Sequence, residues 1–138
     1  MRAPYRPSPS KEDKVDFYPT IRVSVGKKHA QRSRPFEALV DSGATICIFH
    51  HEIAKAIGLK IENGRKEQMN GIGGPQDVWM HPVQLFVGGE LLEIEAGFAK
   101  TLPVAGILGR KGFFQFFKIT FDPSSEPPGL ELERIHKA

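Results

Sequence analysis

The stretch Phe36-Glu37-Ala38-Leu39-Val40-Asp41-Ser42-Gly43-Ala44 decides how this chain of 138 residues is interpreted. Its first five residues are mostly apolar and are typical of a buried strand. Its last four are typical of a tight turn, because Asp and Ser accept local backbone hydrogen bonds and Gly tolerates positive φ. The pattern therefore predicts a strand that leads directly into a turn, which holds the Asp41 carboxylate in a fixed position.

Two glycine-containing segments follow this turn at regular distances. The first is Met69-Asn70-Gly71-Ile72-Gly73-Gly74, and the second is Gly106-Ile107-Leu108-Gly109-Arg110. Together with the Asp41 turn, and in this order, they resemble the retroviral protease family (retropepsins). In that family the three elements are a catalytic loop, the glycine-rich tip of a flap, and a segment that opens the last helix. The resemblance runs from about Phe17 to Asp122.

The resemblance implies a mostly β, retropepsin-like acid protease fold. The expected lobe is a closed, barrel-like sheet with a glycine-rich flap hairpin and one or two short helices. Two-lobed, pepsin-like enzymes carry two catalytic loops in one longer chain, whereas this sequence contains the Asp-Ser-Gly loop once. The resemblance therefore implies a symmetric homodimer, in which each subunit supplies half of the active site.

The resemblance also implies roles for individual residues. Asp41 would be catalytic, and the Ser42 hydroxyl would hydrogen-bond across the dimer. Gly43 would let its amide approach the carboxylate, and Ala44 would leave room for the substrate backbone. The remaining candidates are a flap tip that closes over substrate (Gly71, Ile72, Gly73 and Gly74) and a segment that packs beneath the loop (Ile107, Leu108, Gly109 and Arg110).

Two positions depart from the family pattern. Many retroviral members have an acidic residue where this chain has Thr45, and that residue pairs with the arginine that corresponds to Arg110. Lys111 stands where many members have Asp or Asn. The sequence therefore predicts that the usual salt bridge is missing and that the dimer interface is built differently.

Composition and length predict one domain with a basic N-terminal segment. Net charge is +3, but residues 1–34 hold nine Lys or Arg against three acids. Residues 1–14 are rich in Pro, Ser and charge, and are expected to form a disordered basic arm. Residues 15–122 are assigned to the protease domain, and residues 123–138 to a C-terminal extension that could add a β-strand.

Alternating and helical patterns predict the main elements. Ile21, Val23 and Val25 alternate as in a half-buried strand. His50 to Ile57 is expected to be a helix that ends at Gly58, and Gly88-Gly89 predicts a two-residue hairpin turn. A second short helix is expected over Arg110 to Phe117, and Leu130 to Ile135 is expected to pair as an edge strand.

Several classes of site and partner are not expected. No apolar stretch approaches the ~18 residues of a membrane span, and the N-terminus lacks the apolar core of a signal peptide. The single Cys47 lies in an apolar run, so it is interpreted as a core residue in a reducing, cytoplasmic setting. His50 and His51 lack a spaced third ligand, so neither a metal nor another cofactor is expected.

Three functions remain open at this stage. The first is an aspartic endopeptidase that acts on polypeptides as a homodimer. The second is a non-catalytic retropepsin-like module for dimerisation or peptide binding. The third is a nucleic-acid-associated domain that uses the basic N-terminal third; its scattered charges and lack of a recognisable nucleic-acid fold argue against it.

Overall fold

A computed structural model provides the structure of the protein and describes residues 1–9, 15–71 and 74–135. It consists of short strands connected by tight turns, with one short α-helix in the described part. The strands are β1 (Arg2–Pro4), β2 (Arg6–Pro9), β3 (Val15–Tyr18), β4 (Thr20–Gly26), β5 (Phe36–Val40), β6 (Ile48–His50), β7 (Arg65–Gly71), β8 (Gly74–Val87), β9 (Glu90–Ala99), β10 (Gly106–Leu108), β11 (Phe117–Asp122) and β12 (Gly129–Arg134).

The main sheet has seven strands in the order β4-β5-β10-β6-β9-β8-β7. β4 changes partner along its length: residues 20–23 pair with β5 and residues 23–26 pair with β8. The sheet therefore curls back toward its first strand. Among the described residues, β7 lies beyond this contact and pairs with β8 alone. The expected closed barrel is not confirmed, because β4 is too short to pair fully with both neighbours and the sheet remains a curled one.

A second sheet joins the two ends of the chain, with the order β1-β12-β11. The prediction of a strand after residue 122 is confirmed, but its expected edge position is wrong. β12 is central, because Arg2 pairs with Glu131 on one side and Thr120 pairs with Glu131 on the other. Disorder was expected for residues 1–14, yet β1 and β2 are strands; residues 10–14 lie outside the described residues.

The helix after β6 forms where the sequence predicts it. It is α1 (His51–Ala56), and the His50 side chain caps it by accepting from the Glu52 amide at 3.0 Å. Gly58 follows at φ 72°, a left-handed conformation that suits glycine at a helix end. A single 3₁₀ turn, Ile61–Asn63, leads to β7.

The helix predicted for residues 110–117 is wrong. The segment consists of consecutive turns and ends at β11. Gly112 has φ 96°, outside the right-handed helical region, so a regular helix cannot pass through it. The turns nonetheless bury Phe113 completely, against Phe117 at a ring-centroid distance of 5.1 Å.

The hydrophobic core lies inside the curled sheet. Ile21, Val23 and Val25 are buried as their alternation predicts, and Phe49 and Phe98 pack in its centre at 5.9 Å between ring centroids. The two-residue turn at residues 88–89 is confirmed, since it joins β8 to β9. In the part of the chain that the structure describes, no helix is long and apolar enough to cross a membrane.

Candidate functional site

Asp41 lies at the end of β5, in a turn that backbone hydrogen bonds hold in place. Its amide donates to the Leu108 carbonyl at 3.0 Å, and its own carbonyl accepts from the Ala44 amide at 3.2 Å. The carboxylate oxygen Oδ1 accepts from the Gly43 amide at 2.8 Å. The side chain is thus fixed at one oxygen, and the residue is half-buried while Ser42 and Gly43 are exposed.

Glycine at position 43 permits this short contact. A Cβ atom on Gly43 would lie 3.1 Å from Oδ1 of Asp41, closer than most Cβ contacts. The turn therefore presents a carboxylate whose orientation is fixed by a backbone donor.

β10 supports the turn from beneath by inserting between two strands. It runs parallel to β5, where Leu108 pairs with Val40, and antiparallel to β6, where Ile107 pairs with Ile48. Leu108 is fully buried. The segment predicted to pack under the Asp41 turn is therefore in contact with it, through the main chain as well as the side chains.

Gly109 occupies the tightest position at this support. A Cβ atom there would collide with the carbonyl of Ile46 and would lie 2.8 Å from that of Ala44. Only glycine lets the two backbone segments approach so closely. The approach brings the amides of Arg110 and Lys111 within 2.9 Å of the carbonyls of Ala44 and Thr45, respectively.

The side chain of Arg110 supports the turn through hydrogen bonds, and no ion pair of the described residues includes it. One guanidinium nitrogen donates to the Ser42 carbonyl at 3.1 Å, and the other donates to the Thr45 hydroxyl at 3.4 Å. Thr45 in place of an acidic residue predicted that Arg110 would lack its usual salt bridge. The hydrogen bond from Arg110 to the Ser42 carbonyl was not predicted, because no sequence pattern marks a backbone carbonyl as the acceptor for a distant arginine.

The glycine-rich segment lies at the end of a β hairpin formed by β7 and β8. Gly71 pairs with Gly74, which has φ 99°, while Ile72 and Gly73 lie outside the described residues. The arms of this hairpin extend over residues 65–71 and 74–80. The structure therefore contains the expected hairpin, and its function as a flap stays a prediction.

A groove of about 470 Å³ lies between the hairpin and the segment that follows the Asp41 turn. Thr45 and Ile46 line one side, and Met69 and Met80 from the hairpin line the other. Its rim is charged, since Arg65 donates to Glu67 at 2.9 Å and to Glu95 at 2.6 Å. Sequence reasoning missed this cluster, because Glu95 lies 30 residues from Arg65 in the chain and no motif joins them.

Cys47 is a core residue, as predicted. Its side chain is fully buried and its sulfur donates to the Lys111 carbonyl at 3.6 Å. Burial raises the pKa of the thiol to about 11, and a backbone hydrogen bond from Gly109 opposes this rise. The thiol therefore stays protonated at neutral pH and contributes packing to the site.

The described residues contain no group of three or more His, Cys, Asp or Glu side chains that could hold a metal ion. His50 caps α1, and His51 lies beside it with its Nδ1 3.8 Å from the Glu52 carboxylate.

A carboxylate turn, a strand that supports it and a facing hairpin define a single-lobed β protein of the acid-protease class. The chain belongs to the aspartyl protease family, because the family model for aspartyl protease matches residues 21–111. This match spans the Asp41 turn, the hairpin and β10, and identifies the chain as a retropepsin-like aspartic protease.

Among solved structures, the chain is similar to the EIAV protease in complex with the inhibitor HBY-793. The two are 25% identical with a TM-score of 0.52, and the match covers 73% of this chain and 86% of the viral one. The comparison with curated proteins found no significant match.

Proposed function

We propose that this protein is an aspartic endopeptidase that hydrolyses peptide bonds as a homodimer. The observation that supports this most directly is the Asp41 turn, held by Leu108, Ala44 and Gly43 within the region that matches the family. A fixed carboxylate with a stabilising donor is the group required to accept a proton from an attacking water.

A single carboxylate is insufficient for this reaction. One group must take a proton from water while a second polarises the carbonyl and later protonates the leaving amine. Two carboxylates that lie a few ångström apart share one proton, because both cannot ionise at low cost. The chain provides the Asp-Ser-Gly turn once, so a second copy, related by a two-fold axis, supplies the other Asp41.

The neighbouring residues take supporting roles in this proposal. The Ser42 hydroxyl hydrogen-bonds across the dimer and keeps the two turns rigid. The Gly43 amide stabilises the ionised carboxylate, and the small Ala44 leaves space for the substrate backbone. Arg110 holds the Ser42 carbonyl and the Thr45 hydroxyl, and so takes the structural part that an ion pair has in many retroviral members.

The hairpin formed by β7 and β8 is proposed to be the flap. Glycine at residues 71, 73 and 74 lets backbone approach an extended peptide closely. Closure of the hairpin over the groove would exclude water and would bring Met69 and Met80 into contact with substrate side chains. Substrate is therefore expected to bind as an extended polypeptide between the hairpin and the Asp41 turns.

The test is cleavage of a diverse peptide mixture from pH 4 to 7 by the wild type, Asp41→Asn and Glu126→Gln. Glu126 is exposed in the turn between β11 and β12, so its variant is a control for charge. The wild type and the control are expected to cleave peptides best at mildly acidic pH and without metal. Asp41→Asn is expected to lose about 10³-fold or more in rate, because the substitution removes both carboxylates of the dimer and leaves no group to take the proton from water.

Cleavage retained by Asp41→Asn would show that another residue performs the reaction. Absence of cleavage by the folded wild type, with peptides still bound, would instead favour a non-catalytic peptide-binding module. Each result can be separated from misfolding by the circular dichroism spectrum of the same samples.

A further inference from the structure

Lys111 is a charged side chain of the groove between the hairpin and the Asp41 turn, and the proposed mechanism does not use it. It is exposed and lines the groove together with Thr45 and Ile46. It is also one of the two positions at which the sequence departs from the family pattern. A lysine at this place puts a positive charge beside the path that is proposed for the substrate.

The main chain holds Lys111 at the wall of the groove. Its amide donates to the Thr45 carbonyl at 2.9 Å, and its carbonyl accepts from the Cys47 sulfur at 3.6 Å. Lys111 also forms a parallel bridge with Ile46. The side chain therefore begins at a fixed point, while its flexible stem of four carbons can adjust the ammonium group to a ligand.

The other charged side chains of the groove are paired within the protein. The ion pairs, at 2.9, 2.6 and 3.9 Å, are Arg65 with Glu67, Arg65 with Glu95, and Lys28 with Glu93. Lys111 takes part in none of the ion pairs of the described residues. Its ammonium group is therefore available to a negatively charged group of a bound molecule.

Charge is divided unevenly around the groove. Arg65 carries one positive charge against the two carboxylates of Glu67 and Glu95, so this part of the rim keeps a net negative charge. Lys111 lies on the side of the groove that Thr45 lines. An acidic side chain in the groove would be repelled by the rim around Arg65 and attracted by Lys111, which determines the direction in which it points.

The distance of Lys111 from Asp41 limits which substrate residue it can contact. Thr45, whose carbonyl bonds the Lys111 amide, lies four residues after Asp41. An extended chain spans at most about 3.6 Å per residue, so Asp41 and Thr45 are separated by no more than about 14 Å. This distance corresponds to about four residues of an extended substrate.

We propose that Lys111 selects substrates that carry an acidic side chain, Asp or Glu, within four residues of the scissile bond. This inference rests on the proposed function, because it names the class of polypeptide that the same groove accepts. Opposite charges attract more strongly in a partly enclosed groove than in open solvent. Two subunits related by a two-fold axis each supply one Lys111, so the preference is expected at equivalent positions on both sides of the bond.

Substitution along a cleaved peptide measures this preference. One peptide from the cleaved mixture is synthesised with Glu, or with the neutral Gln, at each of the four positions on either side of the scissile bond. The ratio of kcat/KM for the two is measured at pH 6, where a substrate carboxylate is ionised. The wild type is expected to prefer Glu roughly fivefold at one position on each side, which is the most that an exposed ion pair usually contributes.

Variants of residue 111 assign the preference to this side chain. Lys111→Gln is expected to bring the Glu-to-Gln ratio close to one, Lys111→Glu to invert it, and Lys111→Arg to retain it. The control Lys60→Glu makes the same change in net charge at an exposed lysine outside the groove, and should keep the ratio of the wild type. Because both peptides are cleaved by the same enzyme, weaker folding or dimerisation changes both rates alike and leaves the ratio unchanged.

Binding separates the role of Lys111 from the proposed activity. If the folded wild type cleaves no peptide, dissociation constants of the Glu and Gln forms of a bound peptide, measured by fluorescence anisotropy, replace the kinetic ratio. Tighter binding of the Glu form that is lost in Lys111→Gln would support the selection and overturn the catalytic function alone.

Two results would overturn the selection itself. Cleavage or binding with the same Glu-to-Gln ratio in the wild type, Lys111→Gln and Lys111→Glu would remove Lys111 as its cause and leave the protease function intact where cleavage is seen. A folded protein that neither binds nor cleaves any peptide of the mixture would overturn both proposals.

Discussion

At the scale of single residues, the position of Asp41 could be predicted from the sequence, whereas the contacts that support its turn could not. An Asp-Ser-Gly turn after an apolar strand is a local pattern, so its form could be inferred from sequence. The support from Gly109 and Arg110 depends on atoms some 65 residues away, such as the Ser42 carbonyl and the Thr45 hydroxyl that accept from Arg110. Such contacts become visible only when the fold brings the segments together.

Gly109→Ala is expected to destabilise the protein by about 2 kcal/mol or more, because its Cβ would displace the Ile46 carbonyl. Urea denaturation would measure the free energy of unfolding. Gly89→Ala is a matched control, since nothing lies within 4 Å of its added Cβ and its φ is not in the left-handed region. Equal stability of the two variants would contradict the close approach at residue 109.

Cys47 should make the stability depend on alkaline pH. The pKa of its thiol rises from 9.0 to about 11 in the folded state, so the unfolded chain loses the proton first. The stabilising contribution is complete below pH 9 and is lost as the pH rises toward 11. The difference in unfolding free energy between wild type and Cys47→Ala should shift by roughly 2–3 kcal/mol against the wild type over that range. A difference that stays constant with pH would contradict this.

At the scale of elements, sequence patterns predicted helices, turns and strands correctly where the backbone conformation matched the spacing of the apolar and turn-forming residues. The helix His51–Ala56, the turn at residues 88–89 and the strand at residues 20–26 were all foreseen. The helix over residues 110–117 failed because Gly112 adopts φ 96°, which apolar spacing does not reveal. The central position of β12 also could not be foreseen, since its partner β1 carries only a weak strand pattern.

Removal of β1 tests its contribution to the second sheet. Deletion of residues 1–4 should lower the free energy of unfolding by about 2–3 kcal/mol, because the pairs from Arg2↔Glu131 to Pro4↔Gly129 are lost. The control Arg2→Ala keeps the strand pairing and removes only side-chain contacts: the exposed ion pair with Glu131 at 3.4 Å and the hydrogen bonds to the Ser125 hydroxyl and the Pro127 carbonyl. Because these contacts are exposed, the variant should cost about 1 kcal/mol, less than the deletion. If the deletion lowers the free energy of unfolding no more than this control does, then β1 contributes to stability only through the Arg2 side chain.

At the scale of the whole molecule, activity should depend on protein concentration. If each subunit supplies one Asp41, a monomer holds half of the site. Cleavage rate per subunit should therefore rise with concentration below the dimer dissociation constant and become constant above it. Initial rates over a thousandfold dilution series would measure this, and a rate per subunit that is independent of dilution down to a demonstrated monomer would contradict it.

The pairing of β1 with β12 also has a consequence for the order of folding. Arg2 and Glu131 are 129 residues apart in sequence, so this pairing closes nearly the whole chain into a loop. Contacts of such separation form late and slowly. During synthesis β1 cannot pair until β12 has been made, whereas the lobe that carries Asp41 can already fold. The three-stranded sheet therefore becomes complete only after the lobe has folded and the last strand has been made.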